Sequence, residues 1–264
     1  MKIKSDYIHS HFAGAMSSVL LRKRAIIRGN WTGKKNACIS FDCDFPEDME
    51  ACEPIVNFLT SKDIPASFAI PGHLIREFPN VVDSLLKNGH EIVNHTLTHP
   101  KDFRNMSAEG RQFEIEGFQE LMAKEHGYLP RGFRCPHGLR QKSADLFRVL
   151  EKNKMYDSSL LGYVAQNIGG IIEIPLTPCP EHTYMAFDSY HHFRFPLVCS
   201  SEHKVLKLWQ VLLENNAFVN IFLDPIDLTT ETRLALLRDM IRSAKNQDFT
   251  FNQMCQVYAN FSQS

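Results

Sequence analysis

Side chains that can bind metals or transfer protons directly follow several short apolar runs of this sequence. The residues in these positions are Asp42, Asp44, His95, His99, Arg134 and Asp224. Carboxylates and imidazoles are common metal ligands and proton-transfer groups, and their burial is costly unless they are paired or bound to a metal. If the apolar runs are parallel strands of one barrel, all of these groups meet at the same rim.

The spacing of the two histidines suits a single metal ion. Four residues along a helical turn bring the β-carbons of His95 and His99 to about 5–6 Å, with both rings on one face. By itself this spacing also fits capping or core histidines, and Asp42-x-Asp44 also fits a turn. Together, one aspartate and two histidines form a three-ligand set that leaves positions open for water and substrate, as catalytic metal sites do. The other aspartate is then free to act as a base.

Strand-like apolar runs alternate with helix-like segments after residue 35, which predicts βαβ units and a parallel sheet. Strands are predicted at Ala37–Phe41, Ser67–Ile70, His90–Asn94, Gly132–Arg134, Ile171–Ile174, Phe218–Leu223 and Phe249–Phe251. Helices are predicted at Glu50–Lys62, Val81–Lys87, Ser107–Glu125, Ser143–Asn153, Thr230–Asn246 and Asn252–Phe261. Seven or eight such units favour an α/β fold of the TIM-like (β/α) barrel type over an open sheet.

The composition narrows the function classes. The chain has 264 residues, of which 44% are hydrophobic, enough for a sizeable core, and its net charge is −1. That near balance argues against a nucleic-acid partner, which would select a basic excess. The sequence has no apolar run of about 18 residues, so no transmembrane segment is expected. Seven cysteines without a Cys-x-x-Cys pair favour reduced thiols and a cytoplasmic location.

The first 35 residues differ from the rest in charge. They hold eight lysines and arginines against Asp6 alone. We therefore divide the chain into a basic leader at residues 1–35, packed on the body or extending from it, and a barrel at residues 36–264. The leader is either a solvated segment or a peripheral contact for an anionic surface such as a membrane. The sequence leaves the oligomeric state open.

Four segments resemble the motifs of the NodB-type polysaccharide deacetylases, a family of carbohydrate esterases. The segments are Ile39–Asp44, Pro65–Gly72, Gly89–His99 and Phe133–Gly138, and they occur in the family's order. The resemblance implies a distorted (β/α) barrel, usually with seven strands, which agrees with the alternation of strands and helices. Family members remove acetyl groups, and in some branches formyl groups, from amino sugars, and one branch opens cyclic ureides.

The resemblance also implies roles for individual residues. Asp44, His95 and His99 match the residues that bind a divalent metal, with Zn²⁺ expected first, although such a set also accepts cobalt, nickel or manganese. Asp42 matches the general base, and Arg134 matches the arginine that positions it. The metal would activate a water molecule and polarise the amide carbonyl, while Asp42 would take the proton of that water.

Two positions depart from the family pattern. His137 stands where the third motif commonly has a tyrosine, and its backbone N–H would face the oxyanion. Asp224 stands where relatives place a histidine that protonates the leaving amine. The candidates for this general acid are therefore Asp224, His191 and His192, with His137 as a further one.

Three functions follow from these observations. The first is metal-dependent removal of an N-acetyl group from an amino sugar in a cytoplasmic glycan or glycan precursor. The second is hydrolysis of a related amide, a formyl group or a cyclic ureide. The third is a carbohydrate-binding relative without turnover, which the aspartate at position 224 favours.

Overall fold

Seven parallel strands form a curved, half-barrel sheet at the centre of the protein, whose computed structural model describes residues 26–29, 31–138 and 143–261. The strands of the described residues are β1 (Ile26–Ile27), β2 (Asn36–Asp42), β3 (Ser67–Ile70), β4 (Glu91–Asn94), β5 (Gly132–Phe133), β6 (Tyr156–Asp157), β7 (Leu161–Gly162), β8 (Gln166–Ile168), β9 (Ile171–Glu173), β10 (Phe218–Leu223) and β11 (Thr250–Phe251). The parallel order is β10-β2-β3-β4-β5-β6-β9. β8 adds an antiparallel edge to β9, and β11 pairs with the start of β2.

The α-helices of the described residues follow or connect these strands. They are α1 (Pro46–Glu50), α2 (Cys52–Ser61), α3 (Gly72–Glu77), α4 (Pro79–Lys87), α5 (Ala108–His126), α6 (Ala144–Lys152), α7 (Glu202–Asn215), α8 (Glu231–Lys245) and α9 (Met254–Phe261). Ser107 caps α5 by accepting a hydrogen bond from the backbone N–H of Gly110. Gly127 ends the helix at φ 61°, a left-handed conformation that glycine adopts without a Cβ clash.

The sheet is held together by nearly continuous apolar burial. Every residue of β2 except the terminal Asp42 is buried, and β10 pairs with β2 in register along six residues. Strands covered on both faces read as apolar runs, which is why the sequence predicts them well. The predicted α/β barrel class is confirmed, with seven parallel strands in the described part of the chain.

The barrel is distorted between β9 and β10, where single contacts replace a strand ladder. The backbone N–H of Thr177 donates to the carbonyl of Asn220 at 2.7 Å, and the N–H of Asn220 donates to Thr177 Oγ1 at 2.8 Å. The Asn220 side-chain amide reaches the carbonyl of Ile174 at 3.2 Å. Buried polar groups thus bridge the seam, and each bond satisfies a group that burial would otherwise leave unpaired.

Most of the predicted basic leader, residues 1–25 and 30, lies outside the described residues. Its described part packs on the barrel: β1 pairs with β7, and the ring of Trp31 stacks on that of Phe218 with centroids 4.8 Å apart. The boundary at residue 35 stays a prediction. Among the described helices, none combines the length and apolar character needed to cross a membrane.

Candidate active site

The carboxyl ends of neighbouring parallel strands bring the predicted chemical groups together. Asp42 is the last residue of β2, and Asp44 lies two residues beyond it. His95 directly follows β4, and Arg134 directly follows β5. Because β2, β3, β4 and β5 are consecutive in the sheet, their ends share one rim.

Asp44, His95 and His99 converge on a common point. The Nε2 atoms of His95 and His99 lie 3.1 and 3.3 Å from the same carboxylate oxygen, Oδ1 of Asp44. The three ligand atoms all lie within 4.8 Å of one another. Both histidine side chains and the aspartate are largely buried, at 2%, 11% and 9% exposure respectively.

The hydrogen bond on the far side of His95 orients its ring. Nδ1 of His95 lies 2.8 Å from the carbonyl oxygen of Arg134, so this nitrogen carries the proton and donates it. Nε2 then presents a lone pair to Asp44. Nε2 of His99 is buried and has no hydrogen bond of good geometry in the described structure. Lone pairs that face each other at about 3 Å need a cation between them, either a proton or a metal ion.

The electrostatics of the three groups agree with this arrangement. Burial opposes ionisation of Asp44, but the imidazoles of His99 and His95 outweigh it and hold its pKa well below the usual value. Burial likewise opposes charge on His95, yet its hydrogen bond to Asp44 and the nearby carboxylates raise its pKa. An ionised carboxylate beside two imidazole nitrogens fits a divalent transition metal.

The predicted helical turn between the two histidines is wrong. The segment after β4 is a loop, in which Thr96 and His99 adopt φ values of 69° and 56°. The loop is fixed from α5, because Glu114 accepts hydrogen bonds from the backbone N–H and the hydroxyl of Thr98 at 2.8 and 2.7 Å. The rings still meet, with centroids 4.9 Å apart. Left-handed backbone at non-glycine residues is costly and often accompanies functional sites.

Arg134 holds one oxygen of Asp42. Its Nη1 donates to Oδ1 of Asp42 at 2.5 Å, and its remaining nitrogens donate to the hydroxyls of Ser40 and Ser158 and to the Ser158 carbonyl at 2.9–3.2 Å. The Arg134 side chain is 2% exposed and that of Asp42 is 13% exposed. In the described structure no protein donor binds the other oxygen of Asp42. This carboxylate is therefore oriented on one side and open on the other.

His137 lies beside the three ligand groups. Its ring centroid is 5.3 Å from that of His99, and its backbone adopts φ 57° in the turn that follows β5. The side chain is half-buried, so solvent or substrate can reach it. The carboxylate of Asp224 pairs with Arg194, and its backbone N–H donates to Ser189 Oγ at 2.7 Å.

His191 and His192 are not brought to the Asp44 group. Their ring nitrogens contact a different set of partners, His182 and the Ala186 carbonyl for His191, and Cys179 and Ser200 for His192. Burial lowers the pKa of His191 to about 4 and that of His192 to about 3. Both imidazoles are therefore neutral near pH 7 and engaged away from the rim.

Five residues of this region were not predicted from the sequence: Ser40, Ser158, Glu114, Arg194 and His73. His73 follows β3 after two residues, and burial together with the nearby His99 lowers its pKa. The rule that polar residues after a strand reach the rim would have found it. Ser158 directly follows β6 and obeys the same rule. Ser40, Glu114 and Arg194 hold site residues from a strand interior and from two helices, and their partners appear only in the folded chain.

The family model and two of the curated relatives that this chain matches concern deacetylases of polysaccharides or oligosaccharides. Residues 29–156 match the family model for polysaccharide deacetylase. The chain is 28% identical over 150 residues to a peptidoglycan-N-acetylglucosamine deacetylase of Bacillus cereus, covering 50% of this chain and 54% of the relative. It is 30% identical over 112 residues to a chitooligosaccharide deacetylase of Bradyrhizobium, covering 42% of this chain and 50% of the relative. The chain thus spans about half the length of these curated relatives.

The fold has a counterpart among solved structures. A protein of Mycobacterium smegmatis assigned to the polysaccharide deacetylases superposes with a TM-score of 0.73, at 17% identity, over 89% of this chain and 94% of that one. At this identity the likeness concerns the fold, and it agrees with the distorted barrel described above.

Proposed function

We propose that this chain, whose residues 29–156 match the family model for polysaccharide deacetylase, hydrolyses the N-acetyl group of an amino sugar. The substrate we propose is a cytoplasmic glycan or glycan precursor. The observation that carries the proposal is the convergence of Asp44, His95 and His99 beside a carboxylate, Asp42, that Arg134 holds in place. A metal-ligand set next to an oriented base is the arrangement that metal-assisted hydrolysis of an amide uses.

Asp44, His95 and His99 would hold the divalent metal, and we propose Zn²⁺. When bound, such an ion lowers the pKa of a water molecule and polarises a carbonyl oxygen. The donor set fits because Nδ1 of His95 donates to a backbone carbonyl, which leaves its Nε2 lone pair for a ligand. Nε2 of His99 has the same requirement, since no protein donor satisfies it in the described structure.

Asp42 would take the proton of the attacking water. Its Oδ1 is fixed by Arg134, so the carboxylate cannot rotate freely, and in the described structure no protein donor binds its other oxygen. General bases of this kind contribute about 10²–10⁴-fold to a rate. Arg134 acts only through Asp42, since its guanidinium is buried and its other hydrogen bonds are to Ser40 and Ser158.

We assign the proton donor for the leaving amine to His137. Asp224 is paired with Arg194, and a carboxylate held in an ion pair carries no proton to donate. His191 and His192 are engaged with Cys179, His182, Ala186 and Ser200. The ring of His137 lies next to that of His99 and is half-buried, which suits a group that must meet the substrate. Its backbone N–H is also our candidate for the oxyanion contact.

The experiment is acetate release from N-acetylglucosamine oligomers, measured together with bound metal, for wild type and Asp42→Asn. We expect turnover to fall by at least about 100-fold while metal content stays at the wild-type level, because Asp42 is not a ligand. Asp63→Asn, at an exposed turn, is the matched control and should match wild type. His137→Gln in the same assay tests the donor. Full activity of Asp42→Asn would contradict the proposed base.

A non-catalytic, carbohydrate-binding role is the second candidate, and the Asp224–Arg194 pair favours it. The same assay separates it, since wild type would then bind the oligomers and release no acetate. N-formyl and cyclic ureide compounds in the panel identify a related amide hydrolase. For the cytoplasmic location, support comes from the cysteines: all seven are free, and Cys43 and Cys52 lie with Sγ atoms 3.9 Å apart without a disulfide.

A further inference from the structure

A second group of metal-ligand atoms lies in the segment between β9 and α7. The Sγ atom of Cys179, a ring nitrogen of His182 and a ring nitrogen of His191 all lie within 4.8 Å of one another. Cys179 and His182 lie in a hairpin closed by the Pro178–Ala186 bridge, and His191 lies in the π-helix Tyr190–Arg194. None of these side chains has a role in the function proposed above.

The separations match the edges of a tetrahedral zinc site. With Zn–S of about 2.3 Å and Zn–N of about 2.0–2.1 Å, tetrahedral geometry places sulfur and nitrogen about 3.6 Å apart and two nitrogens about 3.3 Å apart. Sγ of Cys179 lies 3.7 Å from Nδ1 of His182, and Nε2 of His191 lies 3.1 Å from the same Nδ1. Nε2 of His192 lies 4.0 Å from the sulfur.

The surroundings orient the donor atoms toward one another. Nδ1 of His191 lies 3.3 Å from the Ala186 carbonyl oxygen, so it donates its proton there and leaves the Nε2 lone pair facing His182. Burial raises the pKa of the Cys179 thiol, and the backbone N–H groups of Glu181 and His182 offset part of that rise. The main chain of His191 is fixed as well, since its N–H donates to Asp188 Oδ1 at 2.6 Å.

Burial supports a neutral, lone-pair-bearing cluster. His191 and His192 are 0% and 1% exposed, and their rings stack with centroids 4.6 Å apart. Imidazoles packed around a thiol carry more lone pairs than N–H and S–H protons to pair with them. A soft cation would bind the lone pairs that remain.

We propose that Cys179, His182 and His191 form a second transition-metal site of zinc-binding character, with His192 nearest to the fourth position. Cysteine sulfur and histidine nitrogen are the ligand atoms that structural zinc sites use. The ion would join the hairpin to the π-helix. Through Ser189 and Arg194, that helix holds the backbone and side chain of Asp224 at the rim, so the site would stabilise the segment behind the active site.

Cobalt substitution distinguishes the two sites, because only the second contains sulfur. Full-length protein without a histidine tag is freed of metal with a chelator, given Co²⁺ or Zn²⁺ and dialysed. We expect two equivalents of metal in wild type and a thiolate-to-cobalt charge-transfer band in the near ultraviolet. Cys179→Ser and His182→Ala should each lose one equivalent and the band. His182 is only partly buried, so its variant keeps the test valid if Cys179→Ser does not fold.

The controls separate this proposal from the proposed function. Cys199→Ser changes an exposed cysteine of the same region and should keep both equivalents and the band. His95→Ala should lose one equivalent and keep the band. A wild-type cobalt protein without the charge-transfer band would overturn the second site. So would Cys179→Ser and His182→Ala proteins that retain the metal content of wild type.

Discussion

The buried ion pair between Arg134 and Asp42 makes a quantitative prediction about stability. In the described part of the chain, Asp42 is the only carboxylate that pairs with this guanidinium, and the Arg134 side chain is 2% exposed. Asp42→Asn keeps an oxygen for Nη1 but removes the negative charge. The arginine then lies buried with hydrogen bonds to Ser40 and Ser158 and no counter-ion.

The size of the effect follows from the geometry. Two unit charges about 4 Å apart attract by roughly 4 kcal/mol at an effective dielectric constant of about 20. Breaking a buried pair from one side typically costs about 3–5 kcal/mol. We therefore expect Asp42→Asn to lower the free energy of unfolding by about 3–4 kcal/mol. Arg134→Met, which removes the buried cation, should relieve that cost in the double variant.

Urea unfolding of wild type, both single variants and the double variant at pH 7 measures this coupling. A metal chelator is present throughout, so that loss of metal does not enter the comparison. We expect a coupling energy of about 2–3 kcal/mol between the two positions. If the two single-variant effects add to within about 0.5 kcal/mol, the charges do not interact as the structure indicates, and the reasoning is refuted.

Two further predictions concern the sheet. Burial raises the pKa of Glu91 above its ordinary value of 4.5, so the folded state keeps a proton that the unfolded chain has released. Its contribution to stability is therefore greatest below about pH 4.5 and is lost as the pH rises through the folded pKa. Urea unfolding at pH values from about 4 to 8 measures this. Relative to wild type, the free energy of unfolding of Glu91→Gln should rise by about 1.4 kcal/mol for each pH unit between the unfolded and the folded pKa. A difference that stays constant with pH would contradict this. A Cβ at Gly132 would overlap the Tyr156 ring, so Gly132→Ala should cost about 1–3 kcal/mol in thermal unfolding, whereas Gly110→Ala should not.

Much of the fold follows from apolar runs alone. The predicted bounds of β3 and β10 agree with the structure, because both are buried runs flanked by polar residues or turns. The helix α7 is missing from the predicted elements, although its buried residues recur at helical spacing: Val205, Leu208, Trp209, Leu212 and Leu213. The π-helix Tyr190–Arg194 has no comparable signal in the sequence.

Some features of the site are likewise predictable from the sequence, and others depend on contacts made only in the folded chain. That Asp42, Asp44 and His95 share a rim is predictable, because parallel strands end together. The loop conformation at His99 is not, since it depends on Glu114 reaching across from α5. The grouping of Cys179 with His191 also depends on how an irregular segment folds back. The two residues are 12 positions apart in the sequence, and no periodicity links them.

The family resemblance assigns the proton-donating imidazole to the position after the last long strand, whereas in this chain the two lie apart. The resemblance expects a histidine after the last long strand, where this chain has Asp224. That aspartate is one half of an ion pair with Arg194, which also contacts Asp227 at 3.0 Å, so position 224 holds the barrel's closing segment together. On the proposed mechanism the imidazole comes instead from His137, in the turn after β5, next to His99. An aspartate at position 224 is therefore compatible with turnover as long as His137 can protonate the leaving amine.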